Sequence, residues 1–215
     1  MTIRILMAGG TGLIGGLLTR RLLRRSDVAL DSLVRSPTLP CERRIDFDAL
    51  AADGSAIESG RAEVGVSCLG TTRRAAGSPD AFRRVDHDFV VAFAKLARRS
   101  GATRFILVSS VGAGGSGLYL ATKGDTESAI RSLGFDRVDI MRPSLLLGPR
   151  ADRRPAEFLG QRLAPLLNPF LVGPLARYGA VDADAVAAAI AQLATHTAPG
   201  VYVHHVPEIR ALARR

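Results

Sequence analysis

Gly9-Gly10-Thr11-Gly12-Leu13-Ile14-Gly15 is the stretch that decides the fold. The residues before it, Ile3-Arg4-Ile5-Leu6-Met7-Ala8, make an apolar run of strand character. Beyond it Leu13, Ile14, Leu17, Leu18 and Leu22 recur at helical spacing. Strand, glycine-rich turn and helix in that order form a dinucleotide pocket. Gly9 and Gly12 lack the Cβ that would keep backbone away from a pyrophosphate, and Gly15 lets the helix pack close to the strand. The first N–H groups of such a helix point at the phosphates, whose charge the helix dipole favours. The whole run from Gly9 to Gly15, with Gly10, Thr11, Leu13 and Ile14, is therefore expected to line a cofactor.

Working outward, strands and helices alternate. Strands are expected at 29–34, 44–47, 64–69, 104–108, 138–141 and 201–206. The clearest helix lies between the fourth and fifth strands. Ser78 caps it, Pro79 takes its first position, Phe82, Val85, Phe89, Phe93 and Leu96 form its buried stripe, and Gly101 ends it. Another helix starts near Asp182 and Asp184 and buries Val186, Ile190 and Leu193. Such alternation predicts an α/β fold, a doubly wound, mostly parallel sheet in one Rossmann domain. Residues 1–142 form the cofactor-binding core and 179–215 a C-terminal helix and strand. Pro143, Pro149, Pro155, Pro165, Pro169 and Pro174 crowd the segment 143–178, which reads as a substrate-facing flap at the carboxyl ends of the strands.

Composition narrows the function classes. The chain has 215 residues, 47% hydrophobic and 23% charged, ordinary values for one globular domain. No apolar run approaches the length of a membrane span and no signal peptide precedes the first strand, so a cytoplasmic location is expected. Cys41 and Cys68 form no CxxC, and His87, His196, His204 and His205 lack metal-ligand spacing, so neither a metal site nor a disulfide is expected. His87 is assigned to the solvated side of its helix. The net charge is +9, and only Lys95 and Lys123 among the 29 basic residues are lysine. The Arg pairs are scattered along the whole chain without interleaved aromatics, which argues against nucleic-acid binding and for solvated helix faces.

The fifth strand ends in Ser109-Ser110, and nine residues past Ser110 comes Tyr119-Leu120-Ala121-Thr122-Lys123. Positions i and i+4 share a helix face, so Tyr119 and Lys123 are expected in one site. A free phenol releases its proton only near pH ~10, and a nearby ammonium favours the phenolate. In this reading Tyr119 gives a proton to a carbonyl oxygen as hydride arrives, Lys123 bonds the nicotinamide ribose, and Ser110 or Ser109 holds the oxygen. Gly124, unfavourable in a helix, is expected to mark close packing against the cofactor or a neighbouring strand.

These residues resemble the short-chain dehydrogenase/reductase superfamily in its extended or atypical branch. Cys68-Leu69-Gly70-Thr71-Thr72-Arg73, Phe82, Arg84-Val85-Asp86, Tyr119 to Gly124 and Arg142-Pro143-Ser144-Leu145-Leu146-Leu147 with Arg150 are similar to the Tat-interacting-protein-like members. The resemblance implies a Rossmann domain that binds NADPH. It implies that Leu69 and Gly70 line the adenine-ribose side, that Pro143 to Leu145 lie against the nicotinamide, and that Arg150 reaches a phosphate. It also implies a second possibility, a non-enzymatic NADPH-binding regulator whose flap is ordered for a partner protein. The interval from Ser110 to Tyr119 is shorter than usual for the superfamily.

Cofactor choice rests on the second strand, which ends Leu33-Val34-Arg35-Ser36. Arg35 stands where an NAD-selective fold places an acid, and a guanidinium pairs with a 2′-phosphate, so NADP(H) is expected over NAD(H), with Ser36 beside it. Asp46 or Asp48 is a candidate for the adenine amino group. The substrate is a small molecule that the sequence does not specify, and a homodimer or protein partner is left open.

Overall fold

The computed structural model describes residues 2–54, 60–148 and 173–214. The chain runs β1 (Ile3–Ala8), α1 (Leu13–Leu22), β2 (Val28–Val34), β3 (Glu42–Arg44), α2 (Phe47–Asp53) and β4 (Val64–Ser67). There follow α3 (Arg73–Ala76), α4 (Pro79–Arg83), a π-helical turn (Arg84–Asp88), α5 (Phe89–Arg99), β5 (Arg104–Val108), α6 (Leu118–Arg131) and β6 (Arg137–Met141). The described chain closes with β7 (Leu146–Leu147), a 3-10 helix (Gly173–Tyr178), β8 (Val181–Asp182), α7 (Ala183–Leu193), β9 (Gly200–His204) and α8 (Val206–Ala213).

Seven strands pair in the order β3-β2-β1-β4-β5-β6-β9, every pairing parallel. Both faces of such a sheet are covered, which is why its strands read as continuous apolar runs. Along β1 the side chains alternate. Ile5 and Met7 join Leu18, Leu22, Val186 and Ile190 on one face, while Leu6 and Ala8 join Val90, Phe93, Phe105 and Ile140 on the other. The expected doubly wound α/β fold is therefore the observed one. The chain leaves β1 toward β2 and β3 and returns to β4 on the other side of β1, so the carboxyl ends of β1 and β4 border the crevice where such sheets bind ligands.

Several boundaries differ from the sequence expectation. The third strand occupies Glu42–Arg44 rather than 44–47, because the Asp46 carboxylate accepts from the Asp48 and Ala49 N–H groups and starts α2. The fourth strand stops at Ser67, before Cys68 and Leu69. The helix begun by Ser78 is broken by the π-helical turn, although Phe82, Phe93 and Leu96 are fully buried as the stripe requires. The last strand ends at His204, since Val206-Pro207 opens α8 and Glu208 accepts from the His205 N–H at 3.0 Å.

Past β6, the Ser144 hydroxyl donates to the Gly179 carbonyl, the Val181 N–H donates to the Leu145 carbonyl at 2.9 Å, and β7 pairs in parallel with β8. The two ends of the flap segment are thus joined. Arg150 and the prolines at 149, 155, 165 and 169 lie outside the described residues. Among those residues no helix is long and apolar enough to cross a membrane.

Candidate functional site

The glycine turn is built to bring backbone close to whatever lies above it. Gly9 has φ 87°, a left-handed conformation, and a Cβ there would lie 2.5 Å from the Cys68 carbonyl carbon and 2.6 Å from the Leu69 nitrogen. Its glycine is thus required by the outgoing backbone of β4 as well as by the turn. A Cβ on Gly15 would overlap the Gly9 carbonyl, which is the close helix-to-turn packing the sequence implies. Gly10 is buried over the Ser32 hydroxyl, whereas Thr11 and Gly12 are exposed. No side chain caps α1 at Gly12 and no acid occupies its first turn, so the first-turn N–H groups have no side-chain acceptor at the cap. An anionic pyrophosphate suits that donor set, with Leu13 half-buried and Ile14 buried at the base of the cradle.

Register places the flanking residues. Ala8 pairs with Leu33 on one side and with Ser67 on the other. Arg35 and Ser36 therefore leave the sheet just beyond the turn, both exposed, and Leu69 and Gly70 flank it opposite. Asp31 lies inside β2 and pairs with Arg43 at 3.0 Å. Asp46 caps α2 through Oδ1, and Asp48 pairs with Arg84 at 2.6 Å on the surface.

Tyr119 and Lys123 lie one turn apart on α6, as the spacing requires. Tyr119 packs its ring 5.7 Å from that of the fully buried Phe82 and is partly exposed. The Lys123 ammonium is buried and sits 2.8 Å from Asp86 Oδ1, on the π-helical turn. Asp86 Oδ2 accepts from the Thr71 N–H at 2.7 Å, and the Thr126 hydroxyl donates to the Asp86 carbonyl at 2.9 Å. A Cβ on Gly70 would lie 3.4 Å from Asp86 Oδ1 and 3.7 Å from Lys123 Nζ, so the backbone leaving β4 runs directly over this ion pair. The dinucleotide turn and the tyrosine–lysine helix thus meet at Gly70.

The two serines separate clearly. Ser109 is buried and donates to Glu127 Oε1 at 2.6 Å, and Glu127 receives Arg142 at 2.9 and 2.6 Å through both oxygens. Hydrogen bonding to Glu127 raises the pKa of Arg142. Ser110 is partly exposed, and its hydroxyl makes only a 3.3 Å contact to the Val111 carbonyl. The short interval to Tyr119 closes because Gly112, Gly114 and Gly117 are all left-handed, at φ 80°, 88° and 86°. The Gly114 N–H donates to the Leu120 carbonyl at 2.8 Å. Gly124 fits against this loop, since a Cβ on it would lie 2.6 Å from Gly114 Cα. Its packing partner is therefore the loop before α6, rather than the strand or cofactor the sequence suggested.

Pro143 is buried, with its carbonyl accepting from the Val111 N–H at 2.9 Å, while Leu145 is exposed. Burial pushes the Cys68 thiol up to about 12, which removes it from nucleophilic chemistry at neutral pH. His87 is mostly enclosed rather than solvated, with Nδ1 2.8 Å from Asp88. His204 Nε2 lies 2.8 Å from the buried Asp139. No group of three metal-ligating side chains occurs among the described residues. Sequence reasoning assigned no role to Asp86 or Glu127. Glu127 had a signal, since it continues the Tyr119–Lys123 face by one further turn.

The fold is a doubly wound, Rossmann-like sheet whose glycine turn leads β1 into α1. A family model described as NAD(P)H-binding matches residues 9–197, and the chain belongs to that family. It is 36% identical over 169 residues to Protein HTATIP2 of Rattus norvegicus, covering 74% of this chain and 69% of that one. It is 33% identical over 197 residues to the protein named fmp52, mitochondrial, of Aspergillus niger, covering 86% and 84%. The fold matches the crystal structure of a human epimerase family protein, SDR39U1, with NADPH, at TM-score 0.67 and 19% identity over 95% of this chain and 75% of that one. It also matches MoeE5 in complex with UDP-glucose and NAD, at TM-score 0.66 and 19% identity over 98% and 81%.

Proposed function

We propose that this chain is an NADPH-dependent oxidoreductase that reduces a small carbonyl or related substrate. The observation that carries the reading is the meeting of the two halves at Gly70, with the glycine turn on one side and Lys123, one turn from Tyr119, on the other. NADPH, when bound, supplies the hydride. The chain's own residues do the rest. The uncapped α1 amides and the turn from Gly9 to Gly15 hold the pyrophosphate, and Leu69 and Gly70 border the adenine ribose. Arg35, exposed at the end of β2, pairs with the 2′-phosphate, beside Ser36. Tyr119 donates a proton to the substrate carbonyl oxygen, Ser110 holds that oxygen by hydrogen bond, and Lys123 fixes the ribose. Pro143 and Leu145 form the wall beyond them, and Arg150 is assigned to a phosphate.

A panel of aldehydes and ketones, followed by loss of NADPH absorbance, tests this reading. Tyr119→Phe is expected to lower turnover by roughly 10²- to 10⁴-fold while leaving NADPH affinity unchanged. Equal turnover by wild type and Tyr119→Phe would refute the assignment. One observation favours the alternative, an NADPH-binding regulator: the Lys123 ammonium is already matched by Asp86. Tight NADPH binding with no turnover on any carbonyl, and a partner protein whose affinity follows NADPH, would select it.

A further inference from the structure

The glycine turn lies at the carboxyl ends of the strands, and the opposite, amino ends of β4, β5 and β6 border a polar cavity of about 290 Å³. That volume stands at the lower end for small-molecule sites, which run from about 300 to 1,000 Å³. Its charged walls are Arg61 and Glu63 before β4, Arg104 at the start of β5 and Asp136 before β6, with Thr103 and Thr197 beside them. Backbone bonds fix the frame. The Thr103 and Arg104 N–H groups donate to the Glu63 carbonyl at 3.2 and 3.3 Å, and the Asp136 N–H donates to the Thr103 carbonyl at 2.8 Å. The length of β4 and β5, at roughly 3.3 Å per residue, separates this cavity from the glycine turn.

We infer that this cavity is a binding site for a small zwitterion of the α-amino acid class. Arg104 is its fixed element, buried at 9% exposure. Its Nη1 donates to the Ala194 and His196 carbonyls at 2.8 and 3.3 Å, while its Nη2 stays 3.6 Å from Glu63, beyond hydrogen-bond reach. Burial lowers the Arg104 pKa, Glu63 restores part of it and the neighbouring Arg137 charge lowers it further, so a second carboxylate is welcome there. Arg61 and Asp136 are exposed, and neither side chain has a hydrogen bond or ion pair among the described residues. Elsewhere on the surface opposite charges close on each other, as Arg25 does on Asp27 at 2.7 Å and Arg83 on Asp125 at 2.8 Å. Here two charges of each sign face one cavity without closing. A simple anion would also meet Glu63 and Asp136, and a simple cation would meet both guanidinium groups. A molecule that carries a carboxylate and an ammonium matches both, the first to Arg104 and Arg61 and the second to Glu63 and Asp136.

Nuclear magnetic resonance of the isotope-labelled full chain tests this, with glycine, L-alanine, L-serine and L-threonine added in turn. Propionate and ethylamine serve as single-charge controls. At least one of the amino acids is expected to shift the Thr103 and Thr197 amide resonances saturably below about 50 mM. Arg61→Ala and Asp136→Asn, both at exposed positions, are each expected to weaken that amino acid about tenfold, the worth of one charged hydrogen bond. The controls are expected to bind at least about tenfold more weakly than the amino acid. No saturable shift with any of the four, unchanged affinity in both variants, or a control that binds as tightly as the amino acid would overturn the inference. Should one variant fail to fold, the other variant and the controls still decide. The titration contains no nucleotide, so its outcome is independent of the cofactor reading above.

Discussion

The Ser109 hydroxyl is fixed 2.6 Å from a buried carboxylate, whereas the neighbouring Ser110 hydroxyl has only a 3.3 Å contact to a backbone carbonyl. Both serines close the fifth strand, and sequence alone left either as the site residue. The difference is one of packing just past the end of β5 at Val108, where Ser109 is buried against Glu127 and Ser110 is half-exposed. Their variants are expected to separate in the same way. Ser109→Ala removes a hydrogen bond to a charged group and should cost about 1.5–3 kcal/mol of stability, read from urea unfolding. Ser110→Ala should change stability by less than about 0.5 kcal/mol while lowering carbonyl turnover. A stable Ser109→Ala protein, or full turnover by Ser110→Ala, would reverse the assignment. The role of Asp86 was illegible because a lone acid in an amphipathic helix reads as solvated, and the one signal at Glu127 was its place on the Tyr119–Lys123 face. Only the packing of the π-helical turn, β5 and β6 against α6 buries them.

At the scale of elements, the strands with continuous apolar runs were legible nearly to the residue, as in Arg104–Val108 and Arg137–Met141. Elements set by capping or by long-range pairing were less so. The third strand moved because Asp46 caps a helix, and the short β7–β8 pair exists only because 144–147 and 179–182 meet. The β6–β9 edge carries its own polar clamp. Asp139 accepts from Arg137 at 2.6 and 2.8 Å and lies 2.8 Å from His204, and the Arg137 guanidinium sits 4.1 Å from the centre of the Tyr202 ring. Burial acts to raise the Asp139 pKa, but hydrogen bonds from His204 and Arg137 outweigh it and hold the carboxyl below its usual range. A carboxyl depressed in the folded state adds stability that is complete above its unfolded value, near ~3.9, and is lost as pH falls through the folded value. Asp139→Asn leaves Arg137 buried without its counter-charge and is expected to cost about 3–5 kcal/mol at pH 7. Unfolding measured from pH 7 down should show that gap steady to about pH 5 and narrowing below about pH 4. A gap independent of pH would contradict this account of the clamp.

Across the whole molecule, the excess of arginine is distributed rather than gathered. Arg21 pairs with Asp184, Arg25 with Asp27, Arg83 with Asp125 and Arg84 with Asp48, each pair on a solvated surface. Such pairs are individually worth little, about 0–1 kcal/mol, and the remaining positive charge draws anions toward the protein at low salt. The dinucleotide turn was legible in full, because three glycines, a strand and a helix each have a steric reason to be there. The flap that would select a substrate was not, since no periodic pattern fixes the stretch 143–178. The central claim is that this chain holds NADPH across the Gly9–Gly15 turn with Arg35 on the 2′-phosphate. Titration of wild type and Arg35→Asp with NADPH and NADH, read by nicotinamide fluorescence, tests it most directly. Wild type is expected to bind NADPH saturably and about 10- to 100-fold tighter than NADH, the factor one charged hydrogen-bonded pair supplies, and Arg35→Asp to abolish that preference. A wild-type protein that binds neither nucleotide would contradict the account.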